Sequence, residues 1–358
     1  MEHPQDPSGS GRTRPPGLEG HLSLSEIVAD FTRRKTCLAR RAARSGMTRR
    51  EFLEFLAAGT ALAAVASSVG PLRAAEAPSR SRVVVVTHPE VVLKGYRANP
   101  AVLRQMLDRA LMELSGARTE GDAWRAFSRA DDVVAIKHNS MGRPTLNTHT
   151  EINSVFSEQM TAFAGVSPAR IFVVDRQIPE PYNEFSDPFT LPSRHLETRL
   201  RRLYTDHATA IFNVSVLKAH FDDGISTALK NHLGSVNNPA VYHGWEPEGL
   251  PRSLPELNAL DPIRTKTRLC VIDAIRPLYA GGPGDNADYR WDYGGLIVGT
   301  DPVAVTAVGM RLLETKRAEV HGKEWPMTAA REMVAYAQQI GLGNADAGRI
   351  DLVEAKMG

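Results

Sequence analysis

Cysteine is scarce in this chain, and its scarcity excludes several kinds of site. The 358 residues hold two cysteines, Cys37 and Cys270. Cys37 lies in a segment that we predict to be removed, and one remaining cysteine cannot form an intramolecular disulfide. We therefore expect no cysteine-ligated iron–sulfur cluster in this chain, and the sequence leaves the identity of any other cofactor unknown. Because Cys270 lies in the apolar run 269–272, we expect a buried, inert thiol.

Three further motifs are missing, and each absence argues against one class of enzyme. No H-x-x-x-H or H-E-x-x-H spacing occurs, so a zinc site on one helix is not supported. No G-x-S-x-G occurs, which argues against an α/β-hydrolase. No G-x-G-x-x-G follows a predicted strand, which weakens a Rossmann interpretation. Whether a metal is bound stays unknown at this stage.

An excess of positive or negative charge is also lacking after residue 77. The whole sequence has 43 Lys and Arg against 41 Asp and Glu, and residues 1–77 contain 11 of the basic and 8 of the acidic residues. The remainder is therefore close to neutral. No basic stripe interleaved with aromatic residues follows residue 77, so we expect no nucleic-acid partner.

An export signal is the clearest motif that is present. Arg49 and Arg50 form an adjacent pair, a weakly apolar run follows at 57–69, and small residues at 75–77 suit a cleavage site. This order is typical of a twin-arginine (Tat) signal, which predicts the Tat translocase as a partner and a periplasmic or extracytoplasmic location. The run is too short to span a bilayer and no lipoprotein cysteine is present, so we expect no stable membrane anchor. The alternative is an amphipathic N-terminal helix of a cytoplasmic protein.

These features divide the chain into three predicted parts. Residues 1–46 are rich in Pro, Gly, Ser and Arg and are predicted to be a disordered leader. Translation starts either at Met1, with a long n-region, or at Met47, just before the arginine pair. Residues 47–77 form the predicted signal peptide, and residues 78–358 form the predicted α/β domain.

In residues 78–358, short β-branched runs alternate with longer segments of helical periodicity. Strands are predicted at 82–87, 132–136, 170–174, 209–217, 267–272, 294–298 and 350–354. Helices are predicted at 101–115, 151–164, 193–204, 225–233, 301–314 and 328–340. This alternation predicts a layered α/β fold with a largely parallel sheet flanked by helices. The Pro-rich stretch 237–263 is predicted to be a lid or a small excursion from the core.

Polar residues follow several predicted strands at the point where each strand ends. Lys137 and Asn139 follow the second strand, Asp175 the third, Lys218 and His220 the fourth, and Asp273 the fifth. In parallel α/β sheets, ligands bind at the carboxyl ends of the strands. The sequence therefore predicts a binding crevice at this edge, although strands commonly end in polar residues for structural reasons alone.

The segment 218–234 has the highest density of candidate residues. A turn at 222–224 separates the strand from the predicted helix, whose first N–H groups, with Ser226 and Thr227, are predicted to hold an anion. Lys218 and Lys230 would add positive charge, and Asn231 is a further candidate ligand. The alternative is a capped surface helix with solvated lysines. The glycine-rich loop 281–285 is a second candidate, or a plain turn.

Five blocks of this sequence resemble the family called DUF362. They are residues 133–139, residues 216–220 together with 228–234, residues 271–273 followed by 282–284, residues 298–305, and residues 340–343. The Leu-Lys-x-His block at 217–220 and the Leu-Lys-Asn block at 229–231 are the most specific. His138 replaces a proline that is usual in the family, and the ferredoxin-like cysteine region of many relatives is missing. The resemblance implies no particular reaction.

Two hypotheses of function follow. In the first, the chain is an exported enzyme whose crevice binds an anionic or metal-bearing ligand, with His220, Lys218 and Lys230 catalytic. The predicted ligand-binding residues are Lys137, Asn139, Ser226, Thr227, Asn231, Asp273 and Asp301. In the second, the same crevice belongs to a periplasmic ligand-binding or cofactor-handling module without turnover. Substitution of His220 by Gln distinguishes the two.

Overall fold

The computed structural model describes residues 79–142, 144–193, 196–221, 224–243 and 252–358. All of these residues belong to one unit, Leu72–Gly358. The predicted leader and signal peptide lie outside the described residues and stay predictions, as do Asp222 and Asp223 of the predicted turn. Among the described residues, no helix is long and apolar enough to cross a membrane.

Strands and helices alternate along the described chain. The strands are β1 (Ser81–Thr87), β2 (Val92–Leu93), β3 (Arg97–Ala98), β4 (Val134–His138), β5 (Ile171–Val174), β6 (Phe189–Leu191), β7 (Leu196–Thr198), β8 (Ala210–His220), β9 (Gly224–Ser226), β10 (Thr267–Leu278), β11 (Gly295–Gly299) and β12 (Ile350–Lys356). The α-helices are α1 (Pro100–Ser115), α2 (Glu120–Phe127), α3 (Thr150–Ala164), α4 (Ala228–Asn231), α5 (Ser253–Ala259), α6 (Asp261–Arg264), α7 (Pro302–His321) and α8 (Thr328–Gln339).

An eight-stranded sheet in the order β12-β1-β11-β10-β8-β4-β5, with β9 paired to β8, forms the centre of the domain. The neighbours β10, β8, β4 and β5 are mutually parallel, while β11 and β9 run antiparallel to their partners. The predicted α/β class with a largely parallel sheet is confirmed. Because four adjacent strands are parallel, their carboxyl ends lie at one edge.

Hydrophobic layers cover both faces of the sheet. Along β1, Val83 and Val85 belong to one buried cluster, whereas Val84 and Val86 belong to the other. This alternation follows from the two-residue period of a strand, and each fully buried valine contributes about 1.5–3 kcal/mol. Helices α1, α2 and α3 supply apolar residues to the second cluster, and α5, α7 and α8 to the first. The rigid layers fix the positions of the strand ends.

Helix α7 begins where the sequence predicts it. The side chain of Asp301 accepts hydrogen bonds from the backbone of Val303 at 2.8 Å and Ala304 at 3.0 Å, and Pro302 is the first helical residue. Cys270 is fully buried in β10, and burial raises the pKa of its thiol. The buried position of this thiol agrees with the prediction that it is inert.

Two predicted helices are wrong. Residues 225–233 do not form one helix: Gly224–Ser226 is a strand paired with the end of β8, and the helix covers only Ala228–Asn231. Thr227, with extended backbone at φ −158°, breaks the predicted helix. Within 193–204, Leu196–Thr198 is a strand that pairs with β6, because cross-strand pairing with Phe189–Leu191 overrides the local helical pattern.

The described part of the stretch 237–263 packs on the domain. Its two short helices bury Leu254, Leu257 and Ile263, and the residue between them, Leu260, is buried in the same cluster, which α7 and α8 share. These residues therefore belong to the core and are not an excursion from it. Residues 244–251 of this stretch lie outside the described residues, so the predicted lid stays a prediction there.

Candidate functional site

A cavity of about 280 Å³ opens at the carboxyl edge of the parallel strands. The polar residues that line it are Asn139, Asp175, Arg176, Ser215, Lys218, His220, Ser226, Thr227, Lys230, Asn231 and His243. The other lining residues are Met141, Val216, Leu233, Gly234, Pro239, Ala240 and Pro283. Seven predicted site residues thus share one cavity, although up to 92 positions separate them in the sequence.

Lys218 lies near the end of β8 and is only 1% exposed. Its Nζ donates to Asn139 Oδ1 at 3.2 Å, to the backbone oxygen of Met141 at 2.7 Å and to that of Leu146 at 3.2 Å. All three acceptors are neutral oxygens. Burial and the neighbouring charge of Lys230 lower the pKa of Lys218 to about 8.

The β8–β9 ribbon brings a hydroxyl next to this lysine. Lys218 pairs with Ser226 across the ribbon, so their side chains lie on the same face. Ser226 is 6% exposed and lines the cavity, so its hydroxyl belongs to the same site as Lys218.

His220 shares the face of Lys218 because it lies two residues further along β8. Burial, followed by the positive charges of Lys230, His243 and Lys218, lowers the pKa of His220 to about 2. The imidazole is therefore neutral at pH 7. Its ring stacks on that of Phe221 with centroids 5.2 Å apart, and the ring of His243 lies 5.5 Å away.

Lys137 lies beneath the cavity and does not line it. Its fully buried Nζ donates to Asp175 Oδ1 at 2.6 Å, to the backbone oxygen of His138 at 2.7 Å and to Asn231 Oδ1 at 3.3 Å. Burial alone would raise the pKa of Asp175, but the Lys137 charge and two hydrogen bonds from Ser140 hold it at about 2. The ion pair forms part of the cavity floor.

A glycine makes room for this ion pair. A Cβ atom at Gly234 would collide with Asp175 Oδ1 and would lie 3.0 Å from the Nζ of Lys137. The turn at Gly234 therefore passes directly over the pair. Any larger residue at this position would have to displace the carboxylate.

Asn231 and Thr227 line the cavity, but their side chains are already engaged. The Asn231 amide donates to the backbone oxygen of Lys137 and to Asn213 Oδ1, each at 2.8 Å. The Thr227 hydroxyl donates to Thr306 Oγ1 at 3.1 Å. These contacts position α4 against β4, β8 and α7. Because α4 has only four residues, it provides no extended helix N-terminus of the kind the sequence analysis predicted.

Asp273 and Asp301 do not line the cavity. Asp273 Oδ2 accepts from the backbone N–H of His149 at 2.8 Å and lies 2.7 Å from its Nδ1. Asp301 caps α7 and accepts from Ser81 at 2.5 Å and from the backbone of Asn344 at 2.8 Å. Both carboxylates are occupied by internal contacts. The structure therefore separates them from the other predicted ligand-binding residues.

The glycine-rich loop 281–285 approaches the chain itself. A Cβ atom at Gly282 would collide with the backbone oxygen of Ala219, and the carbonyl of Gly282 accepts from the N–H of Phe221 at 3.1 Å. The loop therefore supports the end of β8. It contributes Pro283 to the cavity wall.

Several cavity residues were not predicted as site residues. Asp175 was noted as a polar strand end, and that signal was sufficient to place it here. Arg176 is exposed at the cavity edge and forms no hydrogen bond or ion pair within the described residues. His243 comes from the irregular segment after α4, where no periodicity indicates it. Among the described residues, no group of three or more His, Cys, Asp or Glu is arranged to hold a metal ion.

Comparison with known proteins supports the resemblance found in the sequence. Residues 182–311 match the family described as "Domain of unknown function (DUF362)". No curated protein matches the chain. A crystal structure of a protein from Thermotoga maritima aligns with 12% sequence identity and a TM-score of 0.27, and the alignment covers 69% of this chain and 61% of that one.

The DUF362 match includes only part of the cavity. Lys218, His220, Ser226 and Lys230 fall within residues 182–311, whereas Asn139 and Asp175 come from the chain before the match. The site therefore depends on residues on both sides of the boundary of the matched segment.

Proposed function

We propose that this cavity binds an anionic small molecule. Four cations, Lys137, Arg176, Lys218 and Lys230, line the cavity or lie directly beneath it, against the single carboxylate of Asp175 among the described residues there. Grouped positive charges repel one another, and a bound anion would relieve that repulsion. The observation that carries the proposal is Lys218, a buried cation whose three acceptors are all neutral.

His220 is the proposed acid–base group. Its neutral ring lies on the same face of the β8–β9 ribbon as Lys218, next to the proposed anion site. An anion beside the ring would oppose the charges of Lys218 and Lys230 and would raise the pKa of His220 toward the range useful in catalysis. The site would then become competent for proton transfer only when occupied.

The test of anion binding is calorimetry on the full chain with inorganic phosphate, acetate and hexanoate at pH 7. We expect at least one of these to bind, and Lys218→Met to weaken it by about tenfold or more, because a hydrogen bond to a charged group contributes about 1.5–3 kcal/mol. Lys266→Met is the matched control. The Nζ of Lys266 also donates to backbone oxygens, those of Tyr204 and Thr205, but Lys266 lies at the amino end of β10, away from the carboxyl ends that border the cavity. Absence of binding by all three anions would contradict the proposal.

The alternative function is a ligand-binding or cofactor-handling module without turnover. It uses the same cavity and differs only in what it requires of His220. Once an anion that binds is known, the two functions can be compared. If the protein is an enzyme, His220→Gln should still bind this anion but should no longer convert it to a product. Mass spectrometry of the incubated anion measures conversion directly, and unchanged anion in the wild-type reaction favours the binding module.

We also propose that the protein is exported through the twin-arginine pathway, on the sequence signal alone. Arg49→Lys with Arg50→Lys should retain the precursor in the cytoplasm, as measured by fractionation and immunoblotting. The control replaces Arg40 and Arg41, one of the two arginine pairs of the leader, by lysines and should be exported normally. A chain that starts at Met47 should be exported as well as the full chain. Efficient export of the Arg49–Arg50 variant would refute this pathway.

A further inference from the structure

Two lysines of the cavity are buried, whereas two apolar side chains in or beside it are exposed, as is Arg176. Lys218, Ser226 and Lys230 are between 1% and 8% exposed, whereas Met141 and Phe221 are 49% and 58% exposed. Met141 lines the cavity, and Phe221 stacks on His220, which also lines it. These two exposed apolar side chains offer contact area to the apolar part of a ligand that extends out of the cavity.

Apolar residues also line the cavity itself. They include Val216, Leu233, Pro239, Ala240 and Pro283. Inorganic phosphate or sulfate would fill only the charged end and would leave these groups in contact with water. Burial of apolar ligand atoms against such walls is the usual source of affinity in small-molecule pockets, and a few polar groups fix the orientation.

The charged end provides both kinds of group that an acidic head requires. Lys218 and Lys230 supply positive charge, and the hydroxyl of Ser226 supplies a hydrogen-bond donor. Carboxylate and phosphate monoester groups share this requirement. A ligand that enters the cavity with its acidic group first places its apolar part against the apolar lining residues and the cavity opening.

We infer that the ligand is an organic anion with an apolar body, which enters the cavity with its acidic group first. This inference rests on the proposed anion binding and adds the chemical class and the orientation of the ligand. It requires that affinity depend on both ends of the molecule.

The experiment measures binding of two matched series to the full chain by calorimetry at pH 7. The first series is acetate, butyrate, hexanoate and 1-hexanol, and the second is inorganic phosphate and hexyl phosphate. Affinity should rise by up to about fourfold for each methylene that becomes buried, and 1-hexanol should bind much more weakly than hexanoate. Whichever of hexanoate and hexyl phosphate binds with the higher affinity identifies the acidic group that the site prefers.

The outcomes separate this inference from the proposal on which it rests. If acetate binds as tightly as hexanoate, or inorganic phosphate as tightly as hexyl phosphate, the inference is overturned and the proposed anion site stands. If 1-hexanol binds as tightly as hexanoate, recognition of the acidic group is overturned. If no member of either series binds, both the anion site and the inference fail.

Variants of the two exposed apolar residues test the orientation. Phe221→Ser and Met141→Ser should reduce the gain in affinity between butyrate and hexanoate, because Met141 lines the cavity, Phe221 stacks on the lining residue His220, and both side chains are exposed. Val320→Ser is the matched control, since Val320 is 48% exposed near the end of α7 and does not line the cavity. Equal dependence on chain length in all three variants would show that the apolar part does not contact these two residues.

Discussion

Two buried lysines lie at the carboxyl ends of the neighbouring strands β4 and β8, and their surroundings differ. Lys137 is fully buried and pairs with the carboxylate of Asp175 at 2.6 Å. Lys218 is 1% exposed and contacts three neutral oxygens. The same residue type at the same edge of the sheet thus forms an internal ion pair in one strand and lines a cavity in the next.

This difference separates a structural charge from a charge available to a ligand. The positive charge of Lys137 is compensated inside the protein, so removing it would leave an unpaired carboxylate. The positive charge of Lys218 is solvated by dipoles alone, so its removal would leave only neutral oxygens. The two lysines should therefore respond in opposite ways to substitution, in stability and in binding.

The largest effect is expected when the ion pair is broken. Lys137→Met leaves the buried carboxylate of Asp175 without its cation and should lower the free energy of unfolding by about 3–5 kcal/mol. Denaturant unfolding measures the change. Lys266→Met, which removes a lysine bound only to backbone oxygens, should cost much less. Equal losses in the two variants would show that the ion pair has no special structural role.

A smaller effect is expected when the same pair is disturbed without removing either charge. Gly234→Ala introduces a methyl group that collides with the Asp175 carboxylate, and overpacking of this kind costs about 1–3 kcal/mol. Gly348→Ala is the control, because a Cβ atom there has no neighbour within 4 Å. The free energies of unfolding of both variants test this, and full stability of Gly234→Ala would show that the pair can shift freely.

Acid should weaken the pair by a comparable amount. The pKa of Asp175 is held at about 2, below its ordinary value of 3.8, so its contribution is present above about pH 4 and is lost as the pH falls to 2. The shift corresponds to about 2 kcal/mol. The stability difference between wild type and Asp175→Asn should therefore shrink over this range, whereas Asp187→Asn, at an exposed position, should show no such change. A constant difference from pH 5 to pH 2 would contradict this assignment.

The placement of both lysines at one edge could be predicted from the sequence. Each follows a β-branched run, and parallel pairing of β4 with β8 brings their strand ends together regardless of the 81 positions between them. The N-cap at Asp301 could also be predicted, because Asp-Pro before an apolar helical pattern is a local signal. These features depend on periodicity and topology.

The partners of the two lysines could not be predicted in the same way. The acceptors of Lys218 include backbone oxygens of Met141 and Leu146, which any sequence in that loop would provide. The strand β9 was missed because Ser226 and Lys230 have helical spacing, whereas the pairing of β9 with β8 is a non-local contact. The sequence predicts Asp273 and Asp301 as ligand-binding residues because it does not show that their carboxylates already bind His149 and Ser81, respectively.

The smallest effect on stability is expected at the lysine that lines the cavity. The pKa of Lys218 is lowered to about 8, so the amine stays mostly charged at pH 7, but burial makes that charge less stable than in the unfolded chain, and this cost offsets its three hydrogen bonds. Lys218→Met should therefore change the free energy of unfolding by no more than about 1 kcal/mol, as expected where a long apolar side chain replaces a buried charge. The same variant should lose anion affinity in calorimetry, while Lys266→Met should retain it. If Lys218→Met instead lost as much stability as Lys137→Met, both lysines would be structural, and the difference between the two strand ends would lie in geometry alone.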